Sequence, residues 1–173
     1  MIFRKAHEGD IDAVAYIFSE IHKAEAAGEF TTGWLKDVYP VRATAEAALE
    51  RGDLFVMDDE GQVRAAAVIN QIQVDVYEGA PWKHDTPAEE VCVLHTLVVL
   101  PSLKRKGYGR KFVEFFESYA AENGMPELRI DTNERNKAAR NLYAGMGYEE
   151  IAIVPTVFNG IPGVNLVLIE KHL

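Results

Sequence analysis

The sequence predicts an α/β layered fold with a mixed sheet, and three observations carry that reading. Short apolar runs alternate with amphipathic helical stretches in the order β-α-α-β-β-β-α-β-α-β-β. The run VCVLHTLVVL, Val91 to Leu100, is nearly all apolar, as a strand buried on both faces must be, so it belongs at the sheet's centre. A glycine turn rich in positive charge, KRKGYGRK, follows it directly and opens a helix.

Taken in order, Ile2 to Lys5 opens a strand, and Asp10 caps a helix with Ile11, Val14, Ala15, Phe18 and Ile21 on one face, ending near Gly28. GEFTTGWLKDVYP, Gly28 to Pro40, is aromatic and broken and is a loop. A second helix covers Ala43 to Glu50 and stops at Gly52. Leu54 to Met57 and Val63 to Val74 are strands joined by Asp58 to Gly61, and Glu78 to Glu90 is a loop with two prolines. Pro101 ends the central strand. The helix after the glycine turn carries Phe112, Phe116 and Tyr119 on one face and ends at Gly124. Leu128 to Asp131 is a short strand, and Asn136 to Met146 a helix with Ala139, Leu142, Tyr143 and Met146 on one face. Tyr148 to Val154 and Val164 to Glu170 are closing strands joined through Phe158 to Gly163.

Composition bounds the function. At 173 residues, 48% hydrophobic and 26% charged, the chain fits one globular domain, residues 1–173. No apolar run is long enough to cross a bilayer, and MIFRKAHEGD lacks the apolar stretch of a signal peptide. A single cysteine, Cys92, allows no internal disulfide, so the expected setting is the cytoplasm. The net charge of −9 argues against nucleic-acid binding, which needs a broad basic surface. No pair such as HExxH links the five histidines, so no metal site is expected.

Against that acidic background, the positive turn calls for an explanation. Helix N-termini expose unpaired N–H groups, glycines let a backbone approach an anion closely, and flanking Lys and Arg add charge. A Walker A loop fails because Arg110 and Lys111 follow Gly109; the dinucleotide fingerprint fails because Phe112 stands where a third glycine belongs. On its own the turn is equally a solvated charge run.

Two segments together decide the matter. LHTLVVLPSLKRKGYGRKFVEFFESYA resembles the acetyl-CoA-binding segment of the GNAT superfamily of N-acetyltransferases, with Val99-Leu100-Pro101 at the strand end and Lys104 to Gly109 as the loop. Lys104 replaces the family's Gln or Arg. NKAARNLYAGMGYEE resembles the family's later pattern through Asn136, Ala139, Leu142, Tyr143, Gly147 and Tyr148. The pair spans Val91 to Glu150, roughly a third of the chain, in the family's order. The resemblance implies a GNAT-like layered fold, with a mixed, mostly antiparallel central sheet flanked by about four helices. It implies acetyl-CoA as cosubstrate and transfer of its acetyl group to a primary amine, with no metal.

Residue roles follow from the same resemblance. The backbones of Leu97 and Val99 would hold the pantetheine arm where the central strand splays from its neighbour at a bulge. Lys104, Arg105, Lys106, Gly107, Tyr108, Gly109 and Arg110 would bind the phosphates, with Asn136 and Tyr143 beside them. Tyr143 matches the family's frequent general acid for the departing thiolate; the alternative is a core tyrosine. The stretch around His95 resembles the histidine-bearing strand of the arylalkylamine-acetylating branch, where that residue helps deprotonate the amine through water. Its alternative is a buried histidine satisfied by hydrogen bonds. Cys92, three positions earlier, points to the opposite face and is a structural thiol. Trp34, Tyr39 and Trp82 stand in the two loops expected to flank the acceptor and would shape its pocket, or else anchor those loops. The expected acceptor is a small molecule, and a homodimer is an option many relatives take. Other readings are a protein N-terminal or lysine acetyltransferase, a non-catalytic coenzyme A-binding module, and an anionic-surface binder.

Overall fold

The computed structural model describes residues 1–173. Strands β1 (Ile2–Lys5), β2 (Leu54–Asp59), β3 (Gln62–Asn70), β4 (Val91–Val99), β5 (Glu127–Asn133), β6 (Glu149–Phe158) and β7 (Ile161–His172) form one sheet in the order β1-β2-β3-β4-β5-β7-β6. Only β4 and β5 pair in parallel; the other neighbours are antiparallel. Helices α1 (Ile11–Ala26), α2 (Arg42–Arg51), α3 (Tyr108–Glu122) and α4 (Lys137–Ala144) complete the fold. The element order is the one the sequence predicts, and β4 is central.

The sheet is covered on both faces. Phe112, Val113 and Phe116 of α3 are fully buried against Cys92, Leu94, Leu128 and Ile130, and Tyr143 of α4 joins them. Burying such an aromatic ring contributes about 1.5–3 kcal/mol. On the opposite face, α1 and α2 pack Ile11, Val14, Phe18, Ala45 and Ala48 over Val56, Ala66, Val68 and Val98. Beyond them the chain from Val74 to Trp82 covers Val91, Val93 and Leu168.

Several boundaries differ from the sequence expectation, each for a local reason. Asp10 does not cap α1 with its side chain; it reaches back to accept from His7 N–H at 2.9 Å and pairs with Arg4 at 2.7 Å. β3 stops at Asn70, not Val74, because the Asn70 side chain accepts from Ile72 N–H at 2.9 Å and turns the chain out of the sheet. β6 continues through Pro155 to Phe158, which an edge strand tolerates because its outer N–H row has no partner. β6 and β7 meet in a two-residue turn, Asn159–Gly160, with φ of 48° and 82°, the Asn-Gly geometry that suits a tight hairpin.

Candidate active site

The site begins at an interruption of the sheet. β4 and β5 pair from Val91↔Glu127 to Leu94↔Ile130 and no further. Thr96 takes a φ of 51°, and the β3–β4 register slips between Ala66↔Val98 and Val68↔His95, so β4 bulges there. Leu100 N–H still bonds Arg64 O on the β3 side at 2.9 Å. Backbone groups alternate along a strand, so those of Leu97 and Val99 face the gap that β5 has left. A peptide-like chain laid in that gap would find ready partners.

Two cavities meet at the gap. One, of about 670 Å³, runs from Leu97 and Val99 along the start of α3 to Leu142 and Tyr143. The other, of about 560 Å³, is walled by Tyr39, Val68, His95, Phe158 and Leu166 on the opposite side of the sheet. Trp34, Thr96, Asp131, Thr132 and Asn136 line both. The splay is thus a passage through the sheet, with Asp131 and Thr96 beside it.

The first cavity ends at the glycine turn. Gly107 has a φ of 83° and precedes α3, whose first intrahelical bond runs from Lys111 N–H to Gly107 O at 3.1 Å. The N–H groups of Gly107, Tyr108, Gly109 and Arg110 therefore stand free at a positive helix end. Arg105 and Arg110 also line this cavity. These groups fit a pyrophosphate. The other expected contacts divide. Lys104 lines the cavity but its ammonium bonds Glu29 O at 3.1 Å and sits 4.7 Å over the Phe30 ring. Tyr108 turns its hydroxyl away to Asp59 at 3.2 Å. Lys106 is not among the lining residues and is solvated. Asn136 caps α4, accepting from Ala139 N–H at 3.2 Å.

Tyr143 stands on α4 at the floor of this cavity, and no protein group hydrogen-bonds its hydroxyl. Burial, with Asp131 nearby, pushes its ionisation well above the usual value of a phenol. It stays neutral and able to donate.

His95 opens onto the second cavity. Its Nε2 lies 2.9 Å from Asn70 Oδ1. Asn70 gives its amide hydrogen to Asp53 at 2.8 Å, and Asp53 is held by Arg51 at 2.9 Å. Because the Asn70 oxygen also accepts from Ile72 N–H, Nε2 must be the donor, which leaves the lone pair on Nδ1. Burial pushes the imidazole down to about 4. That is far below the ordinary value on which its expected role as a base near neutrality rests.

Asp131, which sequence reasoning passes over as the end of a short strand, sits where the cavities join. Burial pushes its carboxyl up to about 6, although it accepts from the Tyr77 hydroxyl at 2.8 Å. A carboxylate that gains a proton so close to neutrality is suited to proton transfer. The available signal was an acidic residue at the end of the alternating run Glu127-Leu128-Arg129-Ile130-Asp131, and charged residues are common at strand ends.

The aromatic residues separate. Trp34 lines both cavities, and Tyr39 lines the second with its hydroxyl bonded to Thr96 Oγ1. Trp82 lines neither: it packs on Tyr77, donates to Tyr77 O at 2.9 Å and carries the Arg129 guanidinium on its ring. It anchors its loop. Cys92 is buried and its thiol is pushed up to about 12 by that burial, so it is inert as a nucleophile. Glu25 accepts from Thr32 N–H and Gly33 N–H and shapes the loop.

Comparison with known proteins agrees with this geometry. Residues 18–148 match the model of the acetyltransferase (GNAT) family. The chain is 24% identical over 152 residues to the uncharacterized N-acetyltransferase YhfO of Bacillus subtilis (strain 168), covering 87% of this chain and 91% of that protein. A GNAT-family acetyltransferase structure from Streptococcus agalactiae 2603 superposes with a TM-score of 0.81 at 22% identity, over 99% of this chain and 95% of that one. The ribosomal-protein-alanine N-acetyltransferase of Brucella melitensis does so with 0.72 at 20%, over all of both chains. The yncA structure from Salmonella typhimurium, solved with its cofactor acetyl-CoA, gives 0.68 at 20%, over 99% and 93%. The chain belongs to the GNAT family and is an acetyl-CoA-dependent N-acetyltransferase. No helix is long and apolar enough to cross a membrane.

Proposed function

We propose that the protein acetylates the primary amine of a small molecule that carries a single ammonium on a largely apolar body. The observation behind this is the acceptor cavity: Asp131 is the one carboxylate among its lining residues, and its one cation, Arg51, is already paired with Asp53. A single buried carboxylate matches one ammonium, whereas a polyamine would leave charges unpaired in an apolar cavity. Its volume of about 560 Å³ suits a small ligand.

In this reading Leu97 and Val99 hold the pantetheine arm by their backbones, and the free N–H groups of Gly107 to Arg110 take the pyrophosphate, helped by Arg105 and Arg110. Lys104, Lys106 and the side chains of Tyr108 and Asn136 are left with supporting roles. Asp131 pairs with the ammonium and takes a proton from it. The freed nitrogen attacks the thioester carbonyl through the passage between β4 and β5, forming the C–N bond. A backbone N–H at the Thr96 bulge stabilises the oxyanion. As the C–S bond breaks, Tyr143 donates to the sulfur, and its phenolate regains a proton from the acetylated nitrogen, which must shed one to become the amide. Burial raises the ionisation of thiols and phenols alike, so the pair stays matched in the dry cleft. His95, held near 4 and tied to Asn70, orients the acceptor as a neutral imidazole and is not the base.

A thiol-release assay with acetyl-CoA tests this against three classes of acceptor: arylalkyl and alkyl monoamines, polyamines, and peptides with a free N-terminus. Turnover is expected with the monoamines. Turnover confined to the peptides would transfer the protein to the N-terminal acetyltransferase reading.

A further inference from the structure

Four residues before Asp131, about 13 Å back along the strand, β5 begins with a second cluster of reactive side chains. Glu127 is fully buried at 0% exposure. Its Oε2 lies 3.0 Å from His172 Nδ1 and 3.5 Å from His84 Nδ1. One donor atom from each of the three residues falls within 4.8 Å of the others. The two imidazoles stack, with centroids 4.7 Å apart and planes inclined at 28°. Three elements build this arrangement: Glu127 and His172 are cross-strand partners of β5 and β7, and His84 arrives from the loop before β4.

The cluster is incompletely satisfied as it stands. Oε1 of Glu127 and Oε2 of Glu170, itself 2% exposed, receive no donor from another residue, and the two carboxyl groups lie against each other. The other Glu170 oxygen accepts from Lys83 N–H at 2.8 Å, next to His84. Arg129 is the nearby cation, but its guanidinium lies 4.0 Å from the Trp82 ring centroid, its Nη1 bonds Gln73, and its Nε has no partner. Two buried carboxylates with idle oxygens are costly to leave so.

We infer that His84, Glu127 and His172 form a binding site for a divalent transition-metal ion of the zinc type. Two imidazole nitrogens and a carboxylate are a donor set for zinc, nickel or cobalt and a poor one for calcium or magnesium, which take oxygen ligands. Tetrahedral bonds of about 2.1 Å place donors about 3.4 Å apart; the two histidine nitrogens lie 3.0 and 3.5 Å from Glu127 Oε2, and all three donors within 4.8 Å of one another. A bound ion would supply the positive charge that the idle carboxylate oxygens lack. Both histidine side chains are 45% exposed, so an ion can enter from solvent, and a water can complete its shell.

The site has a structural purpose. Glu127, Arg129 and Asp131 alternate along one face of β5, and each holds one residue of the segment above it: His84, Trp82 and Tyr77 respectively. The ion would fasten the far end of the segment whose near end positions Asp131.

Isothermal titration of ZnCl2, NiCl2 and CaCl2 into untagged, chelator-treated protein tests this, with thermal melts alongside. The expected result is one zinc per chain, a raised melting temperature with zinc or nickel, and no response to calcium. Binding should weaken by at least about 100-fold in the His84→Ala/His172→Ala double variant and in Glu127→Gln. The two histidines are exposed and Gln is isosteric with Glu, so these variants should keep their melting response to acetyl-CoA, which shows that they fold. Zinc bound equally by wild type and variants, or no zinc bound by the wild type, would overturn the inference.

Discussion

Burial raises the Asp131 carboxyl to about 6, whereas in an unfolded chain it titrates near the ordinary value of about 3.9. Between those values the folded protein holds a proton that the unfolded chain has lost. The stability this group contributes is therefore full below about pH 4 and is lost as pH rises through 6. Asp131→Asn is expected to melt at a higher temperature than wild type at pH 7.5, with the gap closing as pH falls to 4; melts across that range check it. At Tyr143 the expectation concerns rate alone: Tyr143→Phe should lower kcat by about 100-fold and leave acetyl-CoA affinity unchanged, while His95→Gln stays within about tenfold of wild type. Single-turnover and binding measurements separate these effects. Motif position in the sequence picked out Tyr143 and His95, which line the two cavities. It could not show that burial would weaken His95 as a base, or that Asp131 would meet both cavities, because both depend on what packs around a side chain.

At the scale of elements, the helix start after β4 was legible because a strand, two glycines and a charge cluster stand in sequence. Which charges turn inward was not. Lys104 is drawn off by Glu29 and Phe30 from a distant loop, and Lys106 is left in solvent. The backbone N–H groups are the constant feature, so the glycine is the place to strike. Gly107 sits at φ 83° with open space where a Cβ would be. Gly107→Glu adds backbone strain and a negative charge at the free N–H groups without a clash. It is expected to abolish the rise in melting temperature that acetyl-CoA gives the wild type. An undiminished rise would mean that the phosphates bind elsewhere. The edge position of β6 was beyond the sequence, and the strand expected to end at Val154 runs on through Pro155.

Across the whole molecule, the sheet is continuous except where β4 leaves β5, and that one break joins the two cavities that we propose take the coenzyme and the acceptor. The apolar run of β4 fixed its central place. The bulge at Thr96 left no mark of its own, since Thr rarely takes positive φ and only the pairing of β3 against β4 reveals it. The same limit hid the cluster of His84, Glu127 and His172, whose members lie far apart in the chain. The central claim is that Asp131 takes the proton at this passage. The direct test is the pH dependence of kcat/KM for thiol release, from pH 5 to 9, with one monoamine acceptor, for wild type and Asp131→Asn. The wild type should lose rate as pH falls through about 6, and the variant should be slower by about 100-fold with that limb gone. An unchanged rate, or the same limb in both proteins, would contradict the account.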